Sequence, residues 1–381
     1  MTAGSGRPAL RWALAGAGAG VALTLLAVTA LSYLRDDRPA EKVEKLAEPV
    51  VSVLWQMPTG RPVTGPPGVT ADGVVLGGVD GKIRAFALAD GSPEWTFQAA
   101  SGKAIHTRAT GGTVYAVTGG GEIVAVDAGT GKQRWSTKAK TTFSEPPAVG
   151  EDRVYLSGDD SALHAYRIDD GGRLWRLKTG GELRTRPTLV GDVAVVASDD
   201  GKLYMASSKG SLRRTRPVGL VTGGPISTGD AACVPLADGS VRCVRTADGE
   251  KLAPIILRGT KLSDPARGDG VVLAAGADGA VGAWDKQTGA QKWVFRPSKP
   301  SVAPGHLVLG AGRAVVAYPD GRVIGIDAGT GREQWEITLP DNFDEGARLG
   351  KAAIYVVGRS GTLYALRVPA LPLDETGDGG D

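Results

Sequence analysis

The stretch Ala125–Trp135, AVDAGTGKQRW, follows directly on GGGEIV (residues 119–124) and decides how the chain folds. Ile123, Val124, Ala125 and Val126 form a short apolar run that ends in a polar turn. Gly131 supplies the left-handed backbone such a turn needs, and the chain then returns as a second strand carrying Trp135. The unit recurs as AWDKQTGAQKW (Ala283–Trp293) and GIDAGTGREQW (Gly325–Trp335), and more loosely as AFALADGSPEW (Ala85–Trp95) and AYRIDDGGRLW (Ala165–Trp175). One hairpin with an aromatic anchor has been copied along the chain.

Upstream of each copy lies a second hairpin, as in VVLGGVDGKIRAF (Val74–Phe86), with an Asp-Gly or Ser-Gly tip. Each repeat therefore holds about four short strands, the content of one propeller blade. The first apolar residue after each tip is Ile83, Ile123, Leu163, Leu203, Val241, Val281, Val323 and Leu363, giving steps of 40, 40, 40, 38, 40, 42 and 40. This predicts an all-β, eight-bladed β-propeller of four-stranded antiparallel blades over residues 50–368. The last unit stops at LYALRVPA without its turn and tryptophan, whereas the folded region begins with an orphan VSVLWQM (Val51–Met57). The orphan strand is expected to complete blade eight and close the ring.

The pattern A-x-D-x-x-T-G-K-x-x-W resembles the repeat of the quinoprotein (PQQ-like) β-propeller superfamily, over roughly residues 50 to 368. That superfamily includes pyrroloquinoline-quinone (PQQ) dehydrogenases, the propeller lipoprotein of bacterial outer-membrane protein assembly, which this chain resembles, and many cell-surface proteins that bind no quinone. The resemblance thus implies a fold and leaves the activity open. It also implies that Trp95, Trp135, Trp175, Trp293 and Trp335 dock between neighbouring blades. Blades four and five depart from the pattern, with Leu212–Arg214 and Leu252–Ala253 where the anchor belongs.

Trp12–Leu34 is a run of 23 residues without a charge, enough for about 34 Å of helix and so for one transmembrane helix ahead of the propeller. A cleaved signal peptide with Val28-Thr29-Ala30 as its cleavage site is the alternative, but the run is longer than the usual apolar region of such peptides. No cysteine lies near its end, which argues against a lipoprotein. Arg7, Arg11 and the terminal amine precede the run, whereas Arg35, Asp36, Asp37 and Arg38 cancel behind it. The positive-inside rule then leaves residues 1–11 cytoplasmic and the propeller outside the cell membrane, as a single-pass protein. Residues 35–49, charged and proline-punctuated, read as a linker, and 369–381 as a disordered acidic tail.

The net charge is +3 with the basic residues scattered, which gives no support for a nucleic-acid partner. Glycine, at 57 of 381 residues, is about twice the ~7% average without a collagen period, and turns account for the excess. The two cysteines, Cys233 and Cys243, flank the Ala237-Asp238-Gly239 loop in AACVPLADGSVRCV. A three-residue loop with a glycine bulge pairs Leu236 with Ser240 and brings Cys233 opposite Cys243. Other repeats carry a large residue facing a small one there: Tyr115 with Ala125, Tyr155 with Ala165, Tyr355 with Ala365. A cross-strand disulfide in an oxidising compartment is expected, the alternative being two small buried residues.

Catalytic motifs are scarce. There is no metal cluster, phosphate loop or nucleophile elbow, and His106, His164 and His306 fall on three different repeats. The Asp-x-x-Thr-Gly segments read as turns. What remains is the mouth of the central channel, where the loops entering the innermost strands place His106, Arg108, Glu145, Arg184, Arg186, Asp264, Asp344 and Glu345. These form either a funnel for a ligand or a partner's loop, or simply a solvated rim.

Two function classes follow. The first is a membrane-anchored, extracytoplasmic, non-catalytic scaffold that binds a ligand or another envelope protein and needs no cofactor. The second is a PQQ-dependent dehydrogenase using PQQ with calcium. Enzymes of that kind often carry directly adjacent cysteines under the quinone, whereas here the cysteines are ten apart and no calcium set is recognisable.

Overall fold

In the computed structural model, residues 51–368 are described apart from 101–103, 253, 257–265, 269, 300, 303, 305–306 and 345. The predicted membrane segment, linker and acidic tail lie outside the described residues, as do Asp264, His306 and Glu345. Among the described residues no helix is long and apolar enough to cross a membrane.

The repeat unit folds as its residue pattern dictates. In blade two, Thr113–Thr118 and Glu122–Asp127 form the two middle strands; both are buried almost throughout because neighbouring blades cover both faces. The outer strand Gln133–Lys138 alternates between solvent and Trp135, with one face open. Eight such four-stranded antiparallel sheets follow one another along the chain. The inner strands of successive blades adjoin around the whole circle, including Ala347–Leu349 of blade eight beside Gly68–Val69 of blade one. Eight apolar clusters fill the eight spaces between neighbouring blades, so the core is itself a ring.

Closure comes from the orphan N-terminal strand. Ser52–Pro58 pairs antiparallel with Thr362–Arg367 as the outer strand of blade eight. A bulge puts Trp55 opposite Ala365, the relation Trp135 has to Ala125 in blade two. Residues nearly the whole ring apart in sequence thus build one sheet.

The tryptophans reach from each blade into the next. The indole Nε1 of Trp55 donates to the Leu88 carbonyl (3.1 Å), Trp95 to Ala128 (2.9 Å), Trp135 to Ile168 (2.7 Å) and Trp175 to Ser208 (2.8 Å), each 33 residues ahead. Trp293 donates to Ala328 (2.9 Å). Trp335 is buried too, but its Nε1 has no hydrogen-bond partner at the seam with blade eight. Three of the rings also meet a tyrosine on the second strand of their own blade: Trp135 lies 6.2 Å from Tyr115, Trp175 5.8 Å from Tyr155 and Trp55 5.9 Å from Tyr355.

The Asp-x-x-Thr-Gly segments are turns. Asp127 Oδ1 accepts hydrogen bonds from the Thr130 amide (2.9 Å) and hydroxyl (2.7 Å), and Asp285 and Asp327 do the same for Thr288 and Thr330. The Arg134 guanidinium, together with Thr130, brings the Asp127 carboxyl down to about 2. The Thr288 and Gln287 amides bring Asp285 down to about 2.

Blades four and five make up for their missing anchors differently. Arg214 occupies the tryptophan register and sends Nη2 to the Ala247 carbonyl (3.0 Å), again 33 residues ahead, while Arg216 reaches the Gly249 carbonyl (2.9 Å). In blade five Cys233 pairs with Cys243 across the hairpin and the two form a disulfide. They pack with Trp284, which projects from blade six and is 1% exposed. The disulfide stands where Tyr115 and Ala125 stand in blade two, and Trp284 fills the space from the opposite side.

Two measurements test this architecture. A chain beginning at Pro58 lacks the strand that closes blade eight and is expected to melt well below one beginning at Arg35, because a long sheet edge is left open; equal melting temperatures would contradict the closure. The bridge closes a ten-residue separation, so the double replacement Cys233→Ala and Cys243→Ala is expected to cost no more than ~3 kcal/mol and leave a folded ring. Trp135→Ala should cost ~3–5 kcal/mol in the same urea titration, and the reverse ranking would contradict the roles given to the two features.

Candidate functional site

The loops that enter the inner strands set the channel chemistry. His106 and Arg108 lie on the inner strand Ile105–Thr110 of blade two. The His106 Nδ1–H donates to the Thr64 carbonyl (2.9 Å). Burial lowers the imidazole below its ordinary value, opposed only by that bond, so the ring is neutral at pH 7. Glu145 and Arg186 are half-buried in the loops that enter blades three and four.

The sequence-predicted residues separate into a rim and an interior. Arg184 is two-thirds exposed and held between Glu182 (2.5 Å) and Asp199 (2.6 Å). Asp344 pairs with Arg359 (3.2 Å). Both belong to the solvated rim. Arg108 and Arg186 are instead half-buried, and their charges act on a further arginine that is not among those candidates.

That residue is Arg348, on the inner strand Ala347–Leu349 of blade eight. Its Nε donates to the Pro67 carbonyl of blade one (3.3 Å). Packing around the guanidinium, then the charges of Arg108 and Arg186, lower it to about 10. It remains a cation at neutral pH. Arg348 is itself half-buried.

A signal for Arg348 existed in the repeat register. Arg348 pairs with Tyr355 as Arg108 pairs with Tyr115, and both tyrosines pair onward to the alanine of the anchor row. Among the described residues no group of three or more His, Cys, Asp or Glu side chains is placed to hold a metal ion.

Comparison with known proteins places this ring in a family. The family model described as outer membrane protein assembly factor BamB matches residues 79–246 and 219–371, more than half of the chain. The chain is 27% identical over 181 residues to the outer membrane protein assembly factor BamB of Bordetella pertussis, covering 46% of this chain and 46% of that protein. It is 30% identical over 205 residues to the BamB of Burkholderia pseudomallei, covering 53% of this chain and 43% of that protein. The matches thus span less than half the length of these relatives. The crystal structure of BamB from Moraxella catarrhalis superposes with a TM-score of 0.69 at 17% identity, over 84% of this chain and all of that one, a likeness of fold. Repeat, eight-bladed ring and family match agree: the chain belongs to the PQQ-like β-propeller family of the outer membrane protein assembly factor BamB.

Proposed function

We propose that this protein is a non-catalytic docking scaffold of the cell envelope: a propeller anchored by residues 12–34, displayed outside the cytoplasmic membrane on the 35–49 linker, that binds another envelope protein. The observation that carries the reading is family membership over residues 79–371, in a family whose name is that of an assembly factor. The uncharged run Trp12–Leu34 and the positive flank before it support the anchor and its orientation. The Cys233–Cys243 disulfide supports an oxidising compartment.

Two observations favour this reading over a quinone cofactor with calcium. Among the described residues no cluster of acids could hold the ion, and the cysteines lie across a blade-five hairpin rather than side by side. The ring instead offers what a scaffold needs: a stiff frame whose loops and outer strands are free to vary.

Proximity labelling from the propeller in the native cell is expected to mark envelope proteins; cytoplasmic proteins alone would overturn the proposal. Protease added outside intact cells should degrade the propeller, and its two thiols should resist alkylation until reductant is added. A protected propeller with free thiols would place the domain in the cytoplasm. Purified protein mixed with PQQ and calcium should show neither quinone absorbance nor dye-linked oxidation of alcohols or sugars.

A further inference from the structure

The anchor ring that makes no hydrogen bond carries a second inference, which goes beyond the scaffold reading and does not depend on it. The indoles of Trp55, Trp95, Trp135 and Trp175 each donate to a carbonyl 33 residues ahead, and that of Trp293 to one 35 ahead. Every acceptor sits at the start of the turn between the third and fourth strands of the next blade. Counted in the same way, the acceptor for Trp335 is Val368, the residue that follows the last strand, Thr362–Arg367. Yet the Trp335 Nε1 has no partner, although the side chain is only 8% exposed and shares its apolar cluster with Val51 and Val368. A buried N–H left unbonded is costly.

What blade eight lacks is the turn. At the position of Val368, other blades bond the amide across to the loop between their first two strands: Ala128 to Gly112, Ile168 to Asp152, Thr246 to Asp230, Lys286 to Gly270 and Ala328 to Gly312. Among the described residues Val368 makes no such bond. The turn glycine that receives the ring of Trp293, Gly331, has its counterpart 40 residues on at Leu371. A leucine does not take the left-handed turn, so the chain beyond Val368 needs another path past the indole. Residues 369–373, PALPL, are apolar, whereas the remaining DETGDGGD carries four acids and no base. At the edge of blade eight where the chain leaves, Arg367 and Lys351 are exposed, and neither is ion-paired with a described residue. Glu333 and Glu336 lie on blade seven, in the strand of Trp335 itself.

We propose that Pro369–Leu373 is a latch: the segment docks on Trp335 at the seam of blades seven and eight and orders Val368 so that its carbonyl accepts the indole N–H. Val368 is itself buried in that seam, so the segment starts at its own docking surface, whereas the tail of a second copy would first have to associate. Its two prolines stiffen it and have no N–H to leave unbonded. Leu371 covers the ring where other blades place a turn. The acids that follow are drawn towards Arg367 and Lys351 and away from Glu333 and Glu336. Blade eight is then closed twice, by the amino-terminal strand on its outer edge and by the carboxyl-terminal segment on its seam.

The test uses the full chain in a non-ionic detergent, with isotope-labelled tryptophan, and reads solvent exchange of the indole protons by NMR. The Trp335 signal is identified by its loss in Trp335→Phe. In the full chain its exchange is expected to be as slow as that of the bonded Trp95 and Trp135. A chain ending at Val368, and Leu371→Asp in the full chain, should each speed exchange at Trp335 by about tenfold or more and leave Trp135 as it was. Both keep every strand of the ring, and Leu371→Asp carries the test should the shortened chain fold poorly. Exchange at Trp335 that is the same in all three chains overturns the proposal, because water or a group within the ring would then meet the N–H. Protection that disappears on dilution overturns it as well, because the docked segment would then belong to a second copy.

Discussion

One contact underlies the ring: at five of the eight junctions an indole from one blade lies on a turn glycine of the next. A Cβ added at Gly131 would come within 2.7 Å of the Trp95 ring, at Gly171 within 2.5 Å of Trp135, and at Gly331 within 2.6 Å of Trp293. The glycine therefore answers two demands, the left-handed turn of its own hairpin and the room its neighbour's ring occupies. The same indole sends its N–H to a carbonyl of that turn. A hairpin motif that looks local in sequence is thus the junction between consecutive blades, and the motif cannot drift without loosening two blades together.

The irregular blades show how far this contact can be replaced. Arg214 and Arg216 keep the reach and the acceptors of a tryptophan with no ring to bury. Where blade five lacks both tyrosine and tryptophan, a covalent bridge holds its hairpin and Trp284 supplies the bulk from the other side. At the interface of blades five and six, apolar volume rather than the identity of its donor is what is kept.

The blades were legible because period and hydrophobic alternation are local properties, repeated eight times. The closing strand was legible because Val51–Met57 and the truncated last repeat are complementary. The channel was less so. Inner strands such as Gly68–Val69 and Ala148–Val149 are two residues long and too short to show a period. Arg184 and Arg186 are separated by one residue and look equivalent in sequence, yet one is exposed and paired with two carboxylates and the other is half-buried. Arg348 emerges only when tyrosines on the second strand are used to set the register of the first.

The closing strand has a consequence for how the molecule is made. Ser52–Pro58 leaves the ribosome before any other part of the ring, yet its partner, Thr362–Arg367, is the last strand to be synthesised, ~300 residues later. Throughout elongation the first strand has no place to go, and it carries Val53 and Leu54, which stay about 40% exposed even after docking. Seven blades can form in order behind it, each stacking on its predecessor, but the circle cannot be sealed until the chain is complete. Any truncation at the carboxyl end is therefore felt at the amino end as an unpaired β-edge, and a nascent ring interrupted in transit is sticky at both of its open faces.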